Sequence, residues 1–232
     1  WRQPGGGHRL PAGTWSAAAD RVQPVDEAAI TEDATHAWLA EGPEGDRAPR
    51  HPMRGFTVPV ADKADAYTWN KAPRLGGAVV ETGAMARQLV AGQPLLRDAV
   101  AQLGSNVYTR VLGRLLELAA IVPMMEQALA ALAAREPFCA PDSLPPDAQG
   151  CGLTEAARGA LGHWVRLEGG RIAGYQIVAP TSWNFSPRDA QGRPGALEAA
   201  LVGAPVAAGD DNPVAVQHIV RSFDPCMVCT VH

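Results

Sequence analysis

The run from Asn106 to Ala134, NVYTRVLGRLLELAAIVPMMEQALAALAA, decides the fold class. Val107, Val111, Leu115, Leu118, Val122, Met125, Leu129 and Leu132 recur every three or four residues, the period of a helix with one apolar face. That face is expected to be buried as core. Pro123 is expected to kink the helix, because it lacks a donor and crowds the preceding turn. Upstream, helical spacing predicts helices over Ile30 to Leu39, Ala78 to Ala91 and Pro94 to Leu103. Thr31, Glu32 and Asp33 supply the acidic first turn expected of the first of these. Pro43 to Pro59 and Phe138 to Gly152 read as loops rich in Pro and Gly. Beyond them the period becomes two, with His163 to Leu167 and Arg171 to Val178 flanking Gly169-Gly170 as a hairpin. A short helix is expected over Ala196 to Leu201. Asn212-Pro213 should open a last helix that ends near Arg221. The expected class is α+β and helix-rich, with long buried helices and a small β-hairpin.

Composition narrows the function. The 232 residues are 47% hydrophobic and 19% charged, enough for one sizeable core and unlike a disordered chain. Acids outnumber Lys and Arg by 24 to 20, for a net charge of −4, which argues against a nucleic-acid partner. No apolar run reaches the ~20 residues of a membrane-spanning helix, so no transmembrane segment is expected. Four cysteines do not form a disulfide framework, so a reducing, cytoplasmic setting is the expectation. Residues 1–25, with Gly5-Gly6-Gly7, Pro4 and Pro11, read as a flexible or partner-dependent arm. Residues 26–232 read as one further unit. The chain begins at Trp1 rather than Met, which suggests a mature or cut amino terminus within something larger.

The last nine residues hold the densest chemistry: Asp224-Pro225-Cys226-Met227-Val228-Cys229-Thr230-Val231-His232. A C-x-x-C spacing lets two thiolates reach one metal or one metal pair, and thiolates suit nickel, zinc and iron. A zinc knuckle needs a second ligand pair, for which Cys139 and Cys151 are poorly spaced. A thioredoxin-like redox pair should open a helix inside a βαβ unit. Two unrelated buried thiols remain a further alternative.

Asp-Pro-Cys-x-x-Cys-x-x-His at this position resembles the closing motif of nickel–iron hydrogenase large subunits. Other segments carry the same resemblance in family order: Val25-Asp26 with Ile30-Thr31-Glu32-Asp33 and His36-Ala37-Trp38; Trp69-Asn70-Lys71-Ala72-Pro73-Arg74; Glu155-Ala156-Ala157-Arg158-Gly159-Ala160-Leu161; and Pro180-Thr181-Ser182-Trp183-Asn184 with Pro187-Arg188-Asp189. Together they cover about Val22 to His232. The family's earlier R-x-C-G-x-C motif is absent from this sequence. The resemblance therefore implies the carboxyl-terminal half of a large subunit, from a split or a cut chain, with the amino-terminal half as partner.

The resemblance implies roles residue by residue. Cys226 matches a terminal nickel ligand, and Cys229 a thiolate bridging nickel and iron. His232 matches a magnesium ligand, and the backbone carbonyl of Ile177 another ligand of that ion. Arg158 matches an arginine over the open face of the metals, with Asp224 in the same canopy. Thr181 matches a donor to an iron-bound cyanide. Pro180, Ala179 and Leu161 match the apolar wall around the iron's carbonyl and cyanide ligands. Ala157 stands where the family usually has Pro, and Arg221 where it often has His. The implied activity is heterolytic cleavage of dihydrogen, with Arg158, Asp224 and Cys226 as catalytic groups. The implied cofactors are a nickel–iron centre, magnesium, and iron–sulfur clusters in a small-subunit partner. The sequence ends at His232 without a tail, and its fillers Met227-Val228 and Thr230-Val231 resemble the hydrogen-sensing branch. That branch implies a sensor kinase as partner; an uptake hydrogenase matured by tail cleavage, or an inactive scaffold, is the alternative.

Overall fold

A computed structural model describes residues 10–42, 46–132 and 143–230. Among the described residues, three small antiparallel sheets and seven α-helices make a mixed, helix-rich α+β structure. Strand β1 (Thr14–Ser16) pairs with β2 (Arg21–Gln23), and β3 (Ile30–Asp33) pairs with β4 (Ala72–Leu75). The third sheet is a meander of β5 (Ala148–Ala156), β6 (Gly159–Glu168) and β7 (Arg171–Val178). The helices are α1 (Ala84–Val90), α2 (Pro94–Leu103), α3 (Val107–Ala130), α4 (Pro180–Asn184), α5 (Ala196–Leu201), α6 (Val214–Ser222) and α7 (Met227–Thr230).

Several expectations hold because local chemistry dictates them. Helix α2 starts at Pro94 and stops at Gly104, whose φ of 71° suits only a residue without a side chain. Helix α3 opens on a reciprocal cap, with Asn106 accepting from the Thr109 amide and Thr109 accepting from the Asn106 amide. Gly169 and Gly170 both have positive φ, so the β6–β7 turn forms as the glycine pair predicts. Helix α5 spans the expected residues. Helix α6 begins one residue later than expected, with Pro213 rather than Asn212 at its cap.

Other expectations fail, each for a tertiary reason. Ile30–Asp33 is a strand and not a helical turn. Its acids are buried acceptors instead: Glu32 faces Lys71 at 3.4 Å, and Asp33 accepts from the Ala190 amide at 2.9 Å. The loop expected before Val25 contains the β1–β2 ribbon, and Trp15 packs on the cluster of Met85, Leu89, Leu96 and Val100. Residues 78–83 are not helical; α1 starts only after Gly83, whose φ is 126°. The loop expected up to Gly152 carries β5 from Ala148 onward, so the hairpin is the outer part of a three-stranded sheet. The earlier part of that loop, including Cys139, lies outside the described residues.

The largest correction concerns α3. Its apolar stripe is exposed, with Leu118 at 60% and Leu129 at 71% of full accessibility, so it is not core. The buried face carries Thr109, Arg110, Gly113 and Glu117. A Cβ on Gly113 would lie 2.7 Å from the Met85 Cα, so α1 and α3 cross closely only because that position is glycine. Arg87 on α1 then forks onto Glu117, at 2.7 and 2.8 Å. Leu112 and Leu116, one step round the helix, reach the apolar cluster.

The second apolar cluster, Ile30, Trp164, Val178 and Trp183, sits between β3, the meander and α4. Buried polar groups tie it to the loops. Asn70 donates to the carbonyls of Ser182 and Phe185 and so holds the end of α4. Arg74, 2% exposed, donates to Asp189 at 2.9 Å, to Ser186, and to the Pro187 and Arg193 carbonyls.

Burial pushes the Asp189 carboxyl up, but Arg74 and Arg193 more than offset it and hold the group below its ordinary value. A carboxylate held below its unfolded value adds stability above pH ~3.9 that is lost as pH falls through the depressed value. Asp189→Asn, which leaves Arg74 buried without its counter-charge, should cost about 3 kcal/mol at pH 7. The gap from wild type should shrink below pH ~4. Urea unfolding of both proteins at pH 7 and at pH 3 checks this, and an equal gap at both would reject it.

Candidate metal centre

The site is assembled where three backbone segments meet: the β5–β6 turn, the start of α4, and the loop from α6 into α7. Ala156 pairs with Gly159, so Ala157 and Arg158 form a two-residue turn at the tip of the hairpin. Gly159 takes φ of 136°, and a Cβ there would meet the Thr82 hydroxyl at 2.4 Å and the Gly83 amide nitrogen at 2.8 Å. The turn is fixed from behind by Arg87, which donates to the Ala156 and Ala157 carbonyls at 3.0 Å each and to Glu155 at 2.8 Å. Asn184 at the end of α4 clasps Thr82, accepting from its amide at 2.9 Å and donating to its carbonyl at 3.0 Å. Helix α4 and the arginine turn are thereby referred to one segment, residues 82–83.

On the other side, Arg114 donates to the Ser222 carbonyl, and Arg110 reaches the Ser222 hydroxyl while its guanidinium lies 3.7 Å over the Phe223 ring. Asp224 follows with φ of 54°, a left-handed conformation uncommon outside glycine. That residue turns the chain from α6 toward the cysteines. Its carboxylate faces Arg158 at 4.0 Å, both side chains about half exposed. A half-exposed pair at that distance orients a side chain more than it stabilises the fold.

Cys226 precedes α7, and its amide donates to the buried Thr181 hydroxyl at 3.4 Å. The Cys229 amide donates to the Cys226 carbonyl at 2.9 Å, which places both thiols one turn apart on the same side. The Cys226 thiol is drawn below its ordinary value, chiefly by a hydrogen bond from Cys229, with the Arg158 charge adding to it. Cys229 is pushed up by giving that bond and by its own burial. The pair thus holds one proton more readily than two under a cation. Two soft donors with lowered proton affinity at one of them suit nickel, zinc or iron.

The described residues therefore bring Cys226, Cys229, Thr181, Arg158 and Asp224 together. Pro180 is buried and Ala179 half-buried at the start of α4; Leu161 is half-buried on β6; Ala157 is exposed beside Arg158. Ile177 lies on β7 opposite His163 with its side chain exposed. His232 lies outside the described residues. Among the described residues no three His, Cys, Asp or Glu side chains converge as a metal site. Sequence reasoning missed the group behind the turn: Arg87, Glu117, Thr82, Gly83 and Asn184. Gly159 directly after Arg158 was the available clue, since a glycine there marks a close backbone approach.

Fold and site set two thiols at and just before a short helical turn, with the Arg158 charge acting on both. The family model for nickel-dependent hydrogenase matches residues 7–232, and the chain belongs to that family. It is 34% identical to the hydrogenase-1 large chain of Citrobacter freundii, over 92% of this chain and 42% of that one. It is 32% identical to the uptake hydrogenase large subunit of Azotobacter chroococcum mcd 1, over 96% of this chain and 44% of that one. A solved nickel–iron–selenium hydrogenase structure from Desulfovibrio vulgaris Hildenborough superposes with a TM-score of 0.86 at 33% identity, over 99% of this chain and 50% of that one. The chain spans about half the length of the relatives it matches. No helix among the described residues is long and apolar enough to cross a membrane.

Gly159→Ala should lower stability by about 2 kcal/mol, through backbone strain and the contact with Thr82. Adding Thr82→Ala should recover only part of the loss, because the Gly83 nitrogen still blocks the new Cβ. Thermal unfolding of the single and double variants decides it; full recovery would place the whole cost in the hydroxyl.

Proposed function

We propose that this chain is the carboxyl-terminal half of a nickel–iron hydrogenase large subunit and supplies half the cysteine ligands of its metal site. The observation that carries the reading is the pair of thiols one turn apart, with the Arg158 charge acting on both and Thr181 bound at the Cys226 amide. The remaining ligands come from the amino-terminal half, and a small subunit with iron–sulfur clusters takes the electrons. When bound, nickel and iron supply Lewis acidity that polarises dihydrogen, so that it divides overall into two protons and two electrons.

The chain's own residues prepare that reaction. Cys226, the more readily deprotonated thiol of the pair, would stand as the thiolate whose Sγ accepts the first proton. Arg158 keeps a fixed positive charge and a fork of donors over the site, aimed by Asp224 in front and by the Arg87-held turn behind. Arg158 and the Thr181 hydroxyl donate to the cyanide ligands of iron. Ala157, Leu161, Ala179 and Pro180 present apolar groups that keep water from the iron's diatomic ligands. His232 and the Ile177 carbonyl hold magnesium. Residues 26–232 act as one unit, and the ribbon of residues 14–23 joins it through Trp15 rather than standing as a free arm.

The relatives are named as hydrogenase-1 and uptake large subunits, and these names favour hydrogen uptake over the hydrogen-sensing role with its kinase. The experiment is metal analysis and hydrogen–deuterium exchange on the assembled enzyme. Cys229→Ser should abolish nickel retention while the helical content stays unchanged. Arg158→Lys should retain nickel yet exchange at least ~100-fold more slowly, because Lys keeps the charge and loses the planar fork. Normal nickel in Cys229→Ser would end the assignment. Near wild-type exchange in Arg158→Lys would reduce Arg158 to a structural role.

A further inference from the structure

Behind the arginine turn lies a small polar cavity of about 20 Å³, walled by Thr82, Gly83, Arg158 and residues 222–224. The Thr82 hydroxyl oxygen is shielded from solvent and has no hydrogen-bond partner among the described residues. A buried hydroxyl in that condition is destabilising unless protein or water supplies a partner. The backbone of Thr82 is fixed, because Asn184 grips both its amide and its carbonyl. Gly159 lies so close that a Cβ there would come within 2.4 Å of the hydroxyl. The hydroxyl is therefore anchored directly beside the turn that carries Arg158. The opposite wall supplies a second observation. Arg158 Nε and Asp224 Oδ1 stand 4.0 Å apart, beyond the ~3.2 Å reach of a direct hydrogen bond and at a spacing that a shared water bridges. The other arginines of the wall are already engaged: Arg110 with Glu81, Ser105 and Ser222, and Arg114 with the Ser222 carbonyl.

We propose that this cavity binds one ordered water, which accepts from the Thr82 hydroxyl and from Arg158 and donates to the Asp224 carboxylate, making Thr82 a positioning residue for Arg158. The space fits: a water needs ~10–15 Å³ and makes about three hydrogen bonds. One molecule thereby satisfies the orphaned hydroxyl and closes the 4.0 Å gap in front of it. The consequence is orientation. Arg158 and Asp224 are each about half exposed, so their direct attraction is weak and leaves the long arginine side chain several rotamers. A bridging water tied to Thr82 refers the guanidinium to the same rigid segment that Asn184 clasps, and so selects among those rotamers. A valine at this position would keep the shape of the wall and lose the anchor. The water site stands on geometry alone; its effect on hydrogen splitting rests on the nickel–iron reading.

The test uses the complete assembled hydrogenase. A high-resolution crystal structure should show a water within ~3.2 Å of Thr82 Oγ1 and in hydrogen-bond contact with both Arg158 and Asp224. Thr82→Val should lose that water, shift the infrared bands of the iron-bound cyanides, and slow hydrogen–deuterium exchange at least ~10-fold with nickel content unchanged. Thr82→Ser, which restores the hydroxyl without the methyl group, should return both the bands and the exchange rate to those of wild type. A dry cavity in the wild-type structure, with Arg158 and Asp224 bonded directly, overturns the proposal. So do wild-type bands and exchange in Thr82→Val, which leave the hydroxyl no part in orienting Arg158. Equal impairment in Thr82→Val and Thr82→Ser overturns it too, because the effect then belongs to packing and not to the hydrogen bond. If the wild-type assembly binds no nickel, the functional reading fails, while a water bridging the three groups in the crystal still supports the site.

Discussion

One buried guanidinium organises this molecule. Arg87 is 6% exposed and uses its whole fork: two bonds to Glu117 on α3, one to Glu155 on β5, and two to the carbonyls leading into the Arg158 turn. A charge removed from water is tolerated only when it is paired and its donors are satisfied. Satisfying Arg87 requires α1, α3 and the β5–β6 hairpin to sit in one arrangement. The same requirement sets the position of the arginine proposed to face the metals.

The apolar material is divided rather than pooled. One cluster joins β3, the meander and α4, and another joins α1, α2 and the inner side of α3. Between and around them lie buried polar residues: Arg74 with Asp189, Lys71 with Glu32, and Arg110 with Glu81. A long helix that turns its charges inward and its leucines outward reverses the usual order for a water-facing surface. Its charged groups close the contacts inside this chain, with Arg110 and Glu117 buried, while its apolar stripe stays exposed.

The proposed metal centre shows the same economy of local structure. Helix α7 is one turn long, so it has little stability of its own. Its placement comes from Thr181 beneath Cys226 and from the left-handed Asp224, which redirects the chain out of α6. Strain at such a residue persists because its surroundings over-determine it. Here the surroundings are Ser222 and Phe223, pinned by Arg110 and Arg114.

Local chemistry in the sequence was sufficient for α2, the start of α3, the Gly169-Gly170 turn and the C-x-x-C pair, because caps, glycines and ligand spacing act over a few residues. The family resemblance drawn from the segments around Arg158, Thr181 and Asp224 was legible for the same reason: each is a short contiguous run. Periodicity could report that α3 has an apolar stripe but not what the stripe faces, since a heptad reads alike whether its partner is within the chain or outside it. Nor could it separate the buried acids of β3 from the acidic first turn of a helix. Glu32 and Asp33 find their partners, Lys71 and the Ala190 amide, 39 and 157 residues away. The pinning of Arg158 by Arg87 likewise spans about 70 residues and passes through backbone carbonyls, which carry no residue identity. Those long-range, identity-blind contacts were decided by tertiary structure alone, because only folding sets which backbone oxygens a buried guanidinium meets.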